Sequence, residues 1–371
     1  MADDDARARR RAAGKRRAGG PPFHRRHRKA IVALGTVLVL VLGVVTGYAY
    51  WLNSQLGNVE RVDTDAIQNR PDPDEGEDLN ILLLGSDKGE PQAGQSQKTT
   101  VAEDATAAQW PSGKYRSDTI MIAHISAERD QVQLVSLPRD TYTTIHDAKG
   151  EPTSEQKINA AFSEYGPNGA IATVEQLTGL RMAHVAIIDW DGFKDLSSAV
   201  GGVPVTIPEP FYDPSQKIQW EAGKQTLKGK KALAYVRTRY GLEGGDFDRI
   251  ARQQNFLRSL MKKMLERGTT SNPVKLTRML GAVTENLTVD EAWDPRDMRA
   301  LALSLRGTTA DDVSFLTAPV AGTEDVAGVG NVVRLDEAKA TELFTALRDD
   351  QVAGYLKKYP EEKLAAEDEI S

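Results

Sequence analysis

Apolar and polar positions follow two rhythms along this chain. LNILLLGSD (Leu79–Asp87) is an apolar run closed by glycine, and DTIMIAHI (Asp118–Ile125) and QVQLVSL (Gln131–Leu137) follow it. All three read as buried strands, the last two joined by a turn at SAERD. INAAFSEYG and PNGAIATVEQLTG are helical patterns that each close on glycine. HVAIIDW, DGFKDLSSAV and GVPVTIP then read strand, helix, strand, the unit from which α/β folds are built. Phe211–Lys224 is irregular, and a short helix from Lys228 leads into ALAYVRTRYGLEGGDFDRIARQQ. Beyond it, PVKLTRMLGAVTENL and PRDMRALALSLRG are amphipathic helices with proline in the first turn, DVSFLTAPV is a strand, and Asp336 caps a last helix. Residues 79–350 therefore read as one domain. The charged tail, 351–371, ends in EEKLAAEDEIS, which offers little to bury and reads as disordered.

Charge changes the picture at the N-terminus. The 371 residues carry a formal net charge of -6, yet Arg7–Lys29 is a basic run. Immediately after it, Ala30–Leu52 has no charged residue and matches the roughly 20 apolar residues that span a bilayer core. Residues 30–52 therefore read as a transmembrane helix, with Tyr48, Tyr50 and Trp51 at its outer interface. The positive-inside rule keeps the basic tail, 1–29, in the cytoplasm and sends the rest outside the cell membrane. Anionic lipid, rather than nucleic acid, is the expected contact of that tail, and no nucleic-acid partner is expected. Residues 53–78, polar and acidic, read as an extracellular linker. The chain has no cysteine, which excludes disulfides, thiolate nucleophiles and cysteine metal sites.

Candidate chemistry sits at strand ends and in the arginine-rich stretch. Asp87 closes the first strand, Arg116 and Asp118 flank the start of the second on one face, and Arg139 and Asp140 follow the third. Arg237 and Arg239 are two apart, so an extended backbone aims both the same way. Gly244 and Gly245 free the chain to turn, and Asp246 fits the N-cap of a helix. On that helix Asp246, Arg249 and Gln253 form one stripe that continues as Ile250, Leu257, Leu260, Met261 and Met264. A core-facing ionic stripe is expensive without a ligand to neutralise it; the plainer alternative is an exposed, salt-bridged helix start. Carboxylates beside phosphate hold Mg²⁺, and arginine forks suit the remaining oxygens, so together these residues describe a pyrophosphate site. Other plans fit badly. His124, His146 and His184 lack HExxH spacing, GSD is not a GxSxG elbow, and no GxxxxGK[ST] loop occurs.

NILLLGSD, RSDTIMIAHI, VSLPRDT, KINAAFSEYGPNGAIATVEQLTG, DGFKDLSSAVGGV and ALAYVRTRYGLEGGDFDRIARQQ, in this order behind one apolar N-terminal segment, resemble the LytR-CpsA-Psr family. The resemblance covers about Leu79–Leu265 strongly and the remainder to Asp350 loosely. It implies a three-layer α/β/α domain with a central mixed sheet. The implied activity is a phosphotransferase that moves a glycopolymer, wall teichoic acid among them, from a polyprenyl-pyrophosphate carrier onto a wall glycan of Gram-positive bacteria. Peptidoglycan or arabinogalactan is the implied acceptor, and a hydrophobic tunnel holds the lipid. The resemblance places metal, Mg²⁺ or Mn²⁺, at Asp87 and Asp118, and phosphate at Arg116, Arg139, Arg237, Arg239 and Arg249, with Gln253 beside them. Asp246 matches a family aspartate that orients arginine or acts as base; the residues leave the proton to Asp246 or Asp118. Some members carry a further arginine shortly after PRD, where this chain has TYTTI, Thr141–Ile145. Two other readings stay open: a phosphatase that hydrolyses the carrier pyrophosphate, and a membrane-anchored regulator.

Overall fold

Period-two alternation splits the strand side chains between two apolar layers. The computed structural model describes residues 54, 57, 59–73, 76–88, 98–238, 246–265, 273–365 and 370. Seven strands make the central sheet: β1 (Glu60–Val62), β2 (Leu79–Lys88), β3 (Tyr115–Ile125), β4 (Val132–Leu137), β5 (His184–Asp189), β6 (Leu287–Asp290) and β7 (Val313–Thr317). Their order is β1-β6-β5-β2-β3-β4-β7. β1–β6, β5–β2 and β4–β7 run parallel, whereas β6–β5, β2–β3 and β3–β4 run antiparallel, so the sheet is mixed.

Helices cover both faces. They are α1 (Asn159–Thr178), α2 (Trp190–Ala199), α3 (Gly229–Arg237), α4 (Asp246–Leu265), α5 (Pro273–Thr284), α6 (Pro295–Ser304), α7 (Glu337–Arg348) and α8 (Val352–Lys358). Leu82, Leu84, Ile120, Ile122, Val185 and Ile187 join Phe162, Ile171 and Val174 of α1 and Leu343 and Leu347 of α7 in one buried cluster. On the other face Ile81, Ala123, Ile125, Val289 and Phe315 meet Trp293, with Leu257 and Met261 of α4 and Leu301 of α6 packed against them. Each fully buried side chain of this kind stabilises the fold by about 1.5–3 kcal/mol. The three-layer α/β/α arrangement expected for the domain is therefore what the packing produces.

A separate core lies off the sheet. The antiparallel hairpin Val203–Ile207 with Gly223–Leu227 packs Val203, Val205 and Ile207 against Trp220, Tyr235 of α3, Phe256 and Leu260 of α4 and Met279 of α5. Gly201 and Gly202, at φ 85° and 99°, turn the chain away from the central sheet. The expected strand-helix-strand unit thus delivers its second strand elsewhere. Phe211–Asp213 and Ile218–Trp220 also pair, where no regular structure was expected.

The helical patterns around Pro167 form one span broken at Gly166, whose φ of 72° is non-helical. A Cβ there would lie 2.9 Å from the Trp110 ring, so only glycine fits. Trp110 belongs to the segment between β2 and β3, which carries the short helix Val101–Ala105, while β3 begins at Tyr115 rather than Asp118. Three hairpin or strand segments escape the pattern. Tyr142–His146 with Pro152–Lys157, and Val320–Val326 with Gly330–Leu335, are short and largely polar, and β6 directly follows a helical pattern.

The flanks are more ordered than their composition suggests. Val59, Val62 and Ile67 of the expected linker are buried, as are Val352 and Tyr355 of the expected disordered tail. Arg70, also from the linker, forks onto Glu175 of α1 at 2.9 and 2.6 Å, and Met182 N donates to the same carboxylate at 2.8 Å. No helix among the described residues is long and apolar enough to cross a membrane. The span expected at 30–52 and the basic tail at 1–29 lie outside the described residues.

Glu175 is 0% exposed, so removing it leaves Arg70 half-buried against an empty site. Glu175→Ala should lower unfolding free energy in urea by about 3–5 kcal/mol; a loss below about 1 kcal/mol, the value of an exposed pair, would show that the linker is not anchored there.

Candidate functional site

The antiparallel register of β2 and β3 assembles the carboxylate side of the site. Leu84 pairs with Ile120 and Gly85 with Thr119; a shift in register then sets Asp87 opposite Arg116. Gly85 is required by this approach, since a Cβ would lie 2.9 Å from that of Thr119. Asp118 follows on β3 and accepts a 2.5 Å bond from Arg139 Nη1, which stands just beyond β4. Arg139 is oriented further by Asp140 at 3.6 Å, and Asp140 by Lys157 at 3.3 Å.

Three helix ends complete the ring. β5 ends at Asp189, whose side chain caps α2 by accepting from Gly192 N, and this places Trp190 on the first turn. Arg237 is the last residue of α3, not part of an extended run, because the helix continues through the whole ALAYVR segment. Its guanidinium lies 5.4 Å from the Trp190 ring centre and 3.3 Å from Asp87 Oδ2. α4 begins at Asp246 and carries Arg249, 2% exposed, and Gln253, whose amide donates to Val236 O at 3.3 Å. Asp118, Trp190, Ser215, Gln216, Arg237, Arg249 and Gln253 line one cavity of about 410 Å³.

The structure thus brings together Asp87, Asp118, Arg139, Arg237, Arg249 and Gln253. Arg116 is exposed beside Asp87 on the rim. Arg239 lies outside the described residues, as does the side chain of Asp246. The α4 stripe is also wider than its spacing suggests, since Arg252, Asn255 and Ser259 are buried as well. Arg252 lies 4.7 Å from the Phe211 ring centre and 5.1 Å from that of Tyr235.

A sequence profile of the LytR_cpsA_psr family matches residues 49–349. The chain belongs to the LytR-CpsA-Psr family. The probable cell wall biosynthesis protein LcpB of Corynebacterium glutamicum is 34% identical over 332 residues, covering 87% of this chain and 74% of LcpB. Enterococcus faecalis TagU, a polyisoprenyl-teichoic acid–peptidoglycan teichoic acid transferase, is 31% identical over 287 residues, 74% of this chain and 82% of TagU. The crystal structure of Bacillus subtilis TagV is similar with a TM-score of 0.58 at 25% identity, over 75% of this chain and 98% of that one.

In this LytR-CpsA-Psr protein the carboxylate pair is electrostatically strained. Burial raises the pKa of Asp87 above the ordinary aspartate value, and the like charge of Asp118 adds to it. The Trp190 indole N–H, Arg237 and Arg116 offset part of the rise. Among the described residues no cluster of three or more His, Cys, Asp or Glu could hold a metal. Two carboxylates next to an arginine-lined cavity nevertheless fit Mg²⁺, which takes one or two from the protein and the rest of its oxygens from phosphate and water. A divalent cation between Asp87 and Asp118 would relieve their repulsion.

Trp190, Ser215 and Gln216 were not singled out by the sequence reading. Trp190 closes the HVAIIDW run, and DPS at Asp213–Ser215 has the spacing of an Asx turn, which was the available signal.

The Asp87 carboxyl is harder to ionise folded than unfolded, so its protonation favours the fold; stability is gained, and cation binding lost, as pH falls through the raised pKa. Followed by carboxyl-carbon NMR without added metal, the Asp87 titration should move to lower pH in Asp118→Asn and to higher pH in Arg237→Ala. Titrations that stay in place in both variants would mean that these groups do not share a site.

Proposed function

We propose that this protein is an extracytoplasmic phosphotransferase, anchored in the cell membrane, that moves a glycopolymer from a polyprenyl-pyrophosphate carrier onto a wall glycan through a new phosphodiester. The observation that carries this reading is the placement of Arg237 and the buried Arg249 across one cavity from Asp118, with Arg139 behind it. Arginine forks suit the non-bridging oxygens of a diphosphate, and in phosphoryl transfer positioning and charge neutralisation supply most of the catalysis. The names of TagU and its teichoic acid chemistry support the substrate class.

Arg249 and Arg237 hold the two phosphates, and Arg139 keeps the Asp118 carboxylate turned to the cavity. An acceptor sugar hydroxyl attacks the sugar-linked phosphorus while the lipid phosphate leaves, its charge spread over arginine. Asp118 or Asp246 takes the hydroxyl proton. Asp87 and Asp118 would hold Mg²⁺ or Mn²⁺, which when bound supplies further charge neutralisation at the phosphate oxygens. The second apolar core, in which Phe256 and Leu260 continue α4 beyond Arg249, gives the prenyl chain an apolar neighbourhood about two to three helical turns from that arginine.

The full-length protein in detergent, given a polyprenyl-pyrophosphate-linked sugar, Mg²⁺ and a peptidoglycan fragment, should transfer label to the fragment. Arg249→Ala should slow this by about 100-fold or more, the scale on which single charge-stabilising donors act. Lipid phosphate release with no labelled fragment would make the protein a hydrolase, and no release would end the enzymatic reading.

A further inference from the structure

One wall of the cavity is built differently from the rest. In the same lining as Arg237 and Arg249, Ser215 and Gln216 belong to a short loop wound around Asp213, which is 0% exposed. Asp213 Oδ1 accepts from Ser215 N at 2.9 Å, Ser215 Oγ at 2.6 Å and Gln216 N at 3.2 Å. Asp213 Oδ2 accepts from Gln216 Nε2 at 2.7 Å. Burial alone would raise this carboxyl, but the bonds from Ser215 and Gln216 hold it below the ordinary range, so it stays charged.

The amide of Gln216 can stand only one way round. Its Nε2 also reaches Ala234 O at 2.9 Å and Thr238 Oγ1 at 3.1 Å. Thr238 Oγ1 gives its own proton to Ala234 O at 3.0 Å, so toward Gln216 it accepts. Three acceptors therefore surround the nitrogen, and a flipped amide would set its oxygen against the Asp213 carboxylate. With every amide proton used inward, Gln216 offers its carbonyl Oε1 to the cavity. Ser215 is in the same position, since its single hydroxyl proton goes to Asp213 and only lone pairs remain.

We infer that the Asp213–Gln216 loop is a sugar-hydroxyl subsite, in which Gln216 Oε1 and Ser215 Oγ accept from O–H or N–H groups of the sugar attached to the carrier diphosphate. This rests on the phosphotransferase reading above and adds to it the part of the substrate that the arginines do not contact. Acceptors with a buried negative charge behind them repel phosphate oxygens, whereas Arg237 and Arg249 in the same lining attract them. The two sets of groups thus sort a sugar diphosphate, with phosphate at the arginines and sugar at the loop. Gln216 is a specificity-determining contact, and Asp213 acts through it as a positioning residue.

The test measures binding of two probes to the full-length protein in detergent with Mg²⁺: polyprenyl diphosphate carrying an N-acetylhexosamine, and the same lipid diphosphate without sugar. Gln216→Ala should weaken the sugar-bearing lipid by about three- to tenfold, the scale of one neutral hydrogen bond, and leave the bare lipid unchanged. Ser215→Ala should do the same to a smaller extent; both variants lose a bond to the buried Asp213 and should melt lower than the parent, so binding is read at a temperature at which circular dichroism shows all three proteins folded. Equal weakening of both probes, or of neither, would overturn the subsite. If the parent protein bound neither lipid, the phosphotransferase reading itself would fall. Weakened transfer to a soluble peptidoglycan fragment, with sugar-lipid binding intact, would assign the loop to the acceptor and overturn the assignment made here.

Discussion

Burying guanidinium groups on a packed helix is the constraint around which this protein is arranged. Arg249 and Arg252 both lie inside the fold on α4, which touches the apolar layer of the central sheet and the second core beside it. Desolvating such an ion costs several kcal/mol unless charge, hydrogen bonds or π-faces compensate. For Arg252 the compensation is internal, from the rings of Phe211 and Tyr235 and the charges of Asp248 and Asp213. Arg249 lines a cavity together with Arg237 and Asp118. A helix that buries two arginines needs rigid packing on both sides, and it has it.

The carboxylate half of the site depends on the opposite device, a sheet. β2 and β3 hold Asp87 near enough to Asp118 that its like charge adds to the raised pKa of Asp87. Strand ends fix position well, helix ends fix donors well, and the cavity lies where the two meet, at the carboxyl ends of β2 and β5. Ion pairs run between these elements, Arg139 to Asp118 and Arg237 to Asp87.

Much of this was legible in the sequence because it is local. Asp87, Asp118 and Arg139 each border a strong apolar run, and Arg249 and Gln253 share a helical stripe, so their convergence follows from strand and helix periodicity. What escaped is tertiary or too short to carry a period. Ser215 and Gln216 come from a loop whose position is set by the Val203–Leu227 hairpin, and that hairpin leaves the central sheet at two glycines. Trp190 reads as the end of a strand until α2 turns it into the cavity. β1 has three residues and the Pro152–Lys157 strand is mostly exposed, so neither shows an apolar alternation. Arg237 was misplaced for a physical reason as well: a pair of arginines two apart suggests a strand, but the apolar residues before it obey the helical spacing that won.

The most direct measurement is the rise in melting temperature of the full-length protein in detergent when a short-chain polyprenyl diphosphate and Mg²⁺ are added together. The parent protein should gain several degrees, and Arg249→Met, which fills the same volume without the charge, should stay folded and lose that gain. An Arg249→Met protein that responds to the diphosphate as the parent does would contradict the account, because the buried arginine would then be structure alone.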